Sequence, residues 1–225
     1  MSAQPLSLVL PSGGTVSALL EAPPGARASY VMAHGAGAGM THSFMAAVAE
    51  GLAHRRIATL RYQFPFIESG SKRPDPPAVA HAAVRSAVAE AQRRLPALPC
   101  FAGGKSFGGR MTSQAQAKAP LPGVLGLVFF GFPLHPAGKP GDERATHLAA
   151  VDVPMLFLQG TRDALAGAGL MQDVANALGA RATLEWAPDA DHAFHVPVRS
   201  GHKDAEVLDV LLSRCAAWIA AVAGR

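Results

Sequence analysis

The chain has 225 residues, 49% hydrophobic and 16% charged, with 23 glycines and 18 prolines spread along its length; this suits one folded domain, 1–225, with a sizeable core and excludes a disordered chain. The formal charge of +4 comes from 20 Lys and Arg scattered against 16 Asp and Glu, with 6% aromatic residues, so nucleic acid is not an expected partner. No segment offers about 18 uninterrupted apolar residues, Met1–Leu10 lacks the basic start of a signal peptide, and Cys100 and Cys215 lie far apart at apolar positions; the expectation is a cytoplasmic protein with buried free thiols and no membrane partner.

Short strand-like runs at Leu6–Leu10 and Thr15–Glu21 flank Pro11-Ser12-Gly13-Gly14, a hairpin signal. After Pro23-Pro24-Gly25 the pattern alternates short apolar runs with longer helical stretches, as a parallel sheet requires. The runs Ser29–Ala33, Ile57–Tyr62, Cys100–Gly103, Val124–Phe130, Met155–Leu158 and Thr183–Trp186 are the expected strands. Ser43–Arg55 repeats apolar residues at helical spacing, and Pro76–Leu95 places Val84, Val88, Ala91 and Leu95 on one stripe. Asp75 before Pro76 reads as an N-cap with proline at the first helical position. About Lys203–Val222 a last helix aligns Val207, Leu211, Cys215, Trp218 and Val222. The α/β class follows: a mostly parallel sheet of seven or eight strands with helices on both faces. Phe132–Val153 is too short and too rich in Pro and Gly for a separate cap domain, which predicts a shallow, open site.

Gly104-Lys105-Ser106-Phe107-Gly108 fits Gly-x-Ser-x-Gly between an apolar strand and a helix-compatible stretch. A nucleophilic serine must stand on a sharp turn with little bulk on either side, and the glycines two before and two after supply that. A phosphate loop fails on spacing, because its first glycine would fall at Pro99. Gly37-Ala38-Gly39 lacks the third glycine of a dinucleotide fingerprint, so no cofactor is expected. His34-Gly35-Ala36-Gly37-Ala38-Gly39 directly follows a strand and presents amides. With Phe107, either Ala36 or Gly37 would complete an oxyanion hole.

A serine hydroxyl needs a base and a group that orients the base. Asp163, in Gln159-Gly160-Thr161-Arg162-Asp163, follows the strand Met155–Leu158 and so falls at the carboxyl edge of the sheet. Asp152 precedes that strand, and Asp173 lies in a helical pattern. Of nine histidines, His192, His195 and His202 follow the last strand. His192 is the expected base because it lies a short loop beyond Trp186, with His195 the alternative. His202 belongs to the entry of the last helix. No His-Glu-x-x-His and no paired Cys-x-x-Cys occurs, and no metal is expected.

These residues resemble the compact α/β-hydrolases related to dienelactone hydrolase, in particular a predicted-hydrolase group that includes testis-expressed hydrolase-like proteins and a subunit of a histone-acetylating complex. The resemblance rests on His34-Gly35-Ala36-Gly37, Arg61-Tyr62-Gln63-Phe64-Pro65, Gly104-Lys105-Ser106-Phe107-Gly108-Gly109-Arg110, Pro133-Leu134-His135-Pro136, Gly160-Thr161-Arg162-Asp163 and Asp191-His192-Ala193-Phe194. It implies an uncapped α/β-hydrolase fold and a Ser106, Asp163, His192 triad, but no substrate. Ser106 stands where dienelactone hydrolase is expected to use cysteine. The expected activity is cleavage of an ester or thioester of a small acyl substrate; the alternative is a binding or scaffold protein on the same fold. Loops Tyr62–Asp75 and Phe132–His147 are expected to line the acyl pocket. Phe64 and His135 in those loops, with His34 and Arg110, are the expected substrate-binding residues. Arg110 and Arg162 fit either surface ion pairing or an anionic substrate. Oligomeric state has no signal in the sequence.

Overall fold

The computed structural model describes residues 3–224; Met1, Ser2 and Arg225, the ends of the expected 1–225 span, lie outside the described residues. Strands β1 (Gln4–Val9), β2 (Thr15–Glu21), β3 (Ala28–Ala33), β4 (Ile57–Tyr62), β5 (Cys100–Lys105), β6 (Val124–Phe130), β7 (Met155–Gly160) and β8 (Ala182–Ala187) form an eight-stranded sheet in the order β1-β2-β4-β3-β5-β6-β7-β8. The β1–β2 pair is antiparallel, as the opening hairpin predicts; β2–β4 is antiparallel too, and the rest are parallel. Strands covered on both faces read as unbroken apolar runs, and β3 is buried at all six positions. Its pleat sends Val31 and Ala33 into one core and Tyr30 and Met32 into the other.

Helices α3 (Pro77–Arg94), α4 (Phe107–Lys118) and α5 (Ala168–Leu178) cover one face, while α1 (Ser43–His54) and α6 (Asp204–Ala223) cover the other. Each fully buried Leu or Phe, such as Leu52, Phe129 and Phe157, contributes roughly 1.5–3 kcal/mol relative to exposure. Cys100 and Cys215 are buried free thiols. Among the described residues no helix is long and apolar enough to cross a membrane.

The expected start of the second long helix is displaced by one residue. Pro76 is extended (φ −54°, ψ 148°) and Pro77 is the first helical residue, because a residue that precedes proline is disfavoured in the α region. The Asp75 carboxylate does not cap this helix. It accepts the amide of Phe66 at 3.0 Å and so ties down the loop that holds the single-turn helix α2 (Pro65–Glu68).

Two features of the fold bear on the site. In β5, Gly103 and Gly104 have φ of 151° and 149°, and a Cβ at either would overlap the carbonyl oxygen of Val128 or Ala33 on the neighbouring strands. Glycine there lets the strands approach where any side chain would force them apart. On the far side of α4, buried Ser113 meets His147 Nε2 at 2.7 Å, joining α4 to the 3-10 turn Glu143–Ala150. Burial, then Arg110 and His81, pushes the His147 pKa down to about 4.

Gly104→Ala is expected to lower stability by about 3 kcal/mol or more, read as a shift in the urea midpoint. His147 is held neutral in the fold but titrates near 6.5 when unfolded. Its contribution is therefore fully present above pH ~6.5 and declines as pH falls toward about 4. Burial also lowers His34 and His81, with the same sign. The urea midpoint should drop between pH 7.5 and 5, and drop less in His147→Asn.

Candidate active site

The chain leaves β3 for β4 on one side of the sheet and leaves β5 for β6 on the other. The carboxyl ends of β3 and β5 therefore form the switch point where open α/β sheets place ligands. Ser106 stands there, between the end of β5 and the first turn of α4, with φ 51° and ψ −116°. That sparsely populated conformation persists only when its surroundings enforce it. The Ser106 amide donates to Phe130 O at 3.1 Å, and Gly108 packs α4 so closely on Ala33 and His34 that a Cβ would meet their carbonyl oxygens.

The structure brings the three residues singled out above into one chain of hydrogen bonds. Ser106 Oγ lies 2.8 Å from His192 Nε2, and His192 Nδ1 lies 2.7 Å from Asp163 Oδ2. With the carboxylate taking Nδ1–H, the second ring nitrogen is free to accept from the serine. Asp163 is 3% exposed and also accepts from Gln159 Nε2 at 2.6 Å and the Leu165 amide at 2.8 Å, so its lone pairs are occupied and its orientation is set. Strand β7 supplies Asp163 from its carboxyl end, and the loop between β8 and α6 supplies His192.

His195 is elsewhere: it is exposed and its Nδ1 lies 2.9 Å from Asp204 Oδ2, at the start of α6. His202 sits just before the same helix, on the Glu206 side. Asp152 binds Gln116, and Asp173 is exposed on α5.

Ala36 and Phe107 flank Ser106 in the same cleft, and Gly37 lies beside them. Phe107 opens α4, so its N–H has no intrahelical acceptor and lies at the positive end of the helix. Among the described residues no acceptor takes the Ala36 or the Phe107 amide.

Three expected substrate-binding residues lie in the packed interior instead. His34 is fully buried; its Nδ1–H donates to Gly35 O at 2.7 Å and its Nε2 accepts the Phe64 amide at 2.9 Å. Burial lowers its pKa, which keeps Nε2 an acceptor. A trans peptide points its C=O and N–H in opposite directions, so the bond to Gly35 O also turns the Ala36 N–H away from His34. Phe64 is fully buried, edge-on to His34 at 5.0 Å and to Phe107 at 5.3 Å. His135 is buried, with Nδ1 on Pro136 O at 2.9 Å. Rings with satisfied nitrogens, or none, gain more from packing than from lining a wet cleft. Arg110 does line the cleft with Ser106, whereas Arg162 is exposed and lines neither cleft beside the serine.

Sequence reasoning missed Lys105 and Gln159. Lys105 Nζ donates to the His192 carbonyl and sits 5.0 Å from the Phe194 ring centroid and 5.7 Å from that of Phe44. Burial pushes its pKa down to about 8, with Asp163 and Asp191 opposing. Gln159 bridges Asp163 and the Phe132 amide, which it accepts at 2.9 Å. A lone polar residue ending an apolar strand was the available signal in both cases.

Ser106 opens onto two clefts. One is lined by Gly35 to Ala38, Phe44, Met45 and His192. The other is lined by Pro74, Asp75, Phe107, Arg110, Met111 and Arg144. Pro74, Asp75, Pro133 and Arg144 come from the two loops expected to form the acyl pocket.

The sequence model of the family described as "Alpha/beta hydrolase domain" matches residues 26–220. Among solved structures, an α/β serine hydrolase homologue from Coxiella burnetii superposes with a TM-score of 0.77 at 18% identity, covering 95% of this chain and 97% of that one. Dienelactone hydrolase from Anabaena variabilis gives 0.75 at 20% identity, covering 97% of each. A serine hydrolase without lid from Xanthomonas campestris gives 0.72 at 20% identity, covering 95% of each. With the family match spanning all but the ends of the chain, the chain belongs to the α/β-hydrolase domain family.

Proposed function

We propose that the protein is a serine hydrolase that cleaves an ester or thioester of a small acyl substrate through an acyl-enzyme on Ser106. The observation that carries this reading is the Ser106–His192–Asp163 chain, at 2.8 and 2.7 Å, with the serine at the mouth of two clefts. His192 Nε2 takes the hydroxyl proton as Oγ bonds the acyl carbon, and the resulting oxyanion lies against the Ala36 and Phe107 amides. Collapse expels the alcohol or thiol, which receives that proton from His192. Water, deprotonated by the same nitrogen, then attacks the acyl carbon and releases the acid and Ser106. Asp163 stabilises the imidazolium in each half. Lys105, bonded to the His192 carbonyl, and His34, bonded to the Gly35 carbonyl, act as positioning residues.

Ser106→Ala should lower turnover of p-nitrophenyl butyrate at least about 1,000-fold and abolish labelling by a fluorophosphonate probe, with an unchanged circular dichroism spectrum. Turnover retained in this variant sinks the assignment, and a wild-type serine that resists the probe favours the binding-protein alternative. His34→Phe keeps an aromatic ring but frees the Gly35–Ala36 peptide. It should reduce kcat roughly 10- to 100-fold with little change in KM.

A further inference from the structure

The cleft lined by Arg110 and Arg144 holds positive charge that the protein does not neutralise. The other arginines that are shielded from solvent all have partners. Arg55 pairs with Asp209, Arg61 with Glu21 and Arg94 with Glu90; Arg85 and Arg181 bind backbone carbonyls. Arg110 and Arg144 are half-buried, yet among the described residues neither side chain makes an ion pair or a hydrogen bond, and Arg110 Nε is buried without a partner. Arg110 lies over the Phe107 ring at 5.8 Å. Burial, and then the like charge of Arg144, lowers its pKa. The one carboxylate in the lining, Asp75, accepts the Phe66 amide and has no ion-pair contact with either arginine. Two half-buried guanidiniums that line one cleft without an ion-pair partner are unfavourable unless an anion joins them, and a guanidinium fork suits a carboxylate.

The geometry also says which half of the substrate would carry that anion. The leaving group must come within hydrogen-bond reach of His192 Nε2, and His192 lines the other cleft, with Phe44 and Met45. The arginine cleft is lined by Phe107 and Met111 on α4 and lacks His192, so it receives the acyl chain. We propose that Arg110 and Arg144 form a subsite for a carboxylate at the far end of the acyl group, making the substrate class the monoesters or monothioesters of dicarboxylic acids. The assignment to the acyl half rests on the acyl-enzyme reading above; the anion site itself rests on the unpaired arginines.

The mono-p-nitrophenyl ester of adipic acid and its methyl-capped form share a leaving group and chain, and differ by one charge. Wild-type kcat/KM should favour the acid by about tenfold or more. That ratio should fall to within about twofold of unity in Arg110→Met and, separately, in Arg144→Met, so misfolding of either variant leaves the other to decide. Equal rates in the wild type, or a preference that survives both substitutions, overturn the proposal.

A binding measurement separates this result from the catalytic reading. Ser106→Ala protein should bind monomethyl adipate in calorimetry more tightly than methyl hexanoate, and Ser106→Ala combined with Arg144→Met should not. If the Ser106→Ala protein binds the carboxylate while the wild type hydrolyses neither ester, the acyl-enzyme reading fails and the anion site stands. If both esters are hydrolysed and no carboxylate binding is seen, the anion site fails alone. Displacement of monomethyl adipate by inorganic phosphate at far lower concentration than by acetate would assign the site to a phosphate group and overturn the carboxylate.

Discussion

The close approach of backbone at the carboxyl ends of β3 and β5 is the constraint on which the rest of the site depends. Gly103 and Gly104 let β5 sit against Val128 and Ala33, and Gly108 lets the first turn of α4 sit against Ala33 and His34. Without side chains in these gaps, strand turns into helix within one residue, and Ser106 takes a conformation that an ordinary turn would not impose. The same contact places the Phe107 amide beside the loop that follows β3, so the proposed nucleophile and both proposed oxyanion donors are fixed by one packing event.

The proposed triad and the groups that hold it are satisfied with little slack. Asp163, nearly inaccessible to water, has three donors, and one of them, Gln159, is itself anchored to the Phe132 amide. A buried carboxylate short of partners would be costly, and a filled one is rigid. Lys105 plays the corresponding part for the His192 loop through the His192 carbonyl, and His34 for the Gly35–Ala36 peptide. Arg110 and Arg144 break this pattern, since the protein offers them no counterpart. The filled partners of Asp163, Gln159 and His34 are what make the arginines' lack of partners informative.

Much of this was legible in the sequence, for reasons that can be stated. Strands buried on both faces must be continuous apolar runs, so the parallel strands could be read with errors of a residue or two at their ends. Gly-x-Ser-x-Gly has meaning because of sterics within five residues, and the position of Asp163 follows from its place after a strand. Less legible was anything that depends on which side of a loop faces inward. Phe64, His34 and His135 lie in segments that do border the site, yet their rings turn into the core. Pro76 stays outside the helix because the proline that follows it disfavours the α region for its backbone.

By itself the sequence determined the order of strands and helices and the sharp turn at Ser106, because each is set by local sterics and by the period of apolar residues. It favoured His192 over His195 as the base from distance along the chain alone, since both lie in one short loop. Only the tertiary structure decided that His192 turns to Ser106 while His195 turns to Asp204. It also decided that Lys105 and Gln159 hold the neighbouring groups, and that Arg110 and Arg144 share a cleft with no ion pair to either among the described residues. The bonds that join Ser106, His192, Asp163 and Lys105 link residues 29 to 87 positions apart, and the other contacts depend on which way a side chain turns and on where water is excluded, which no local pattern encodes.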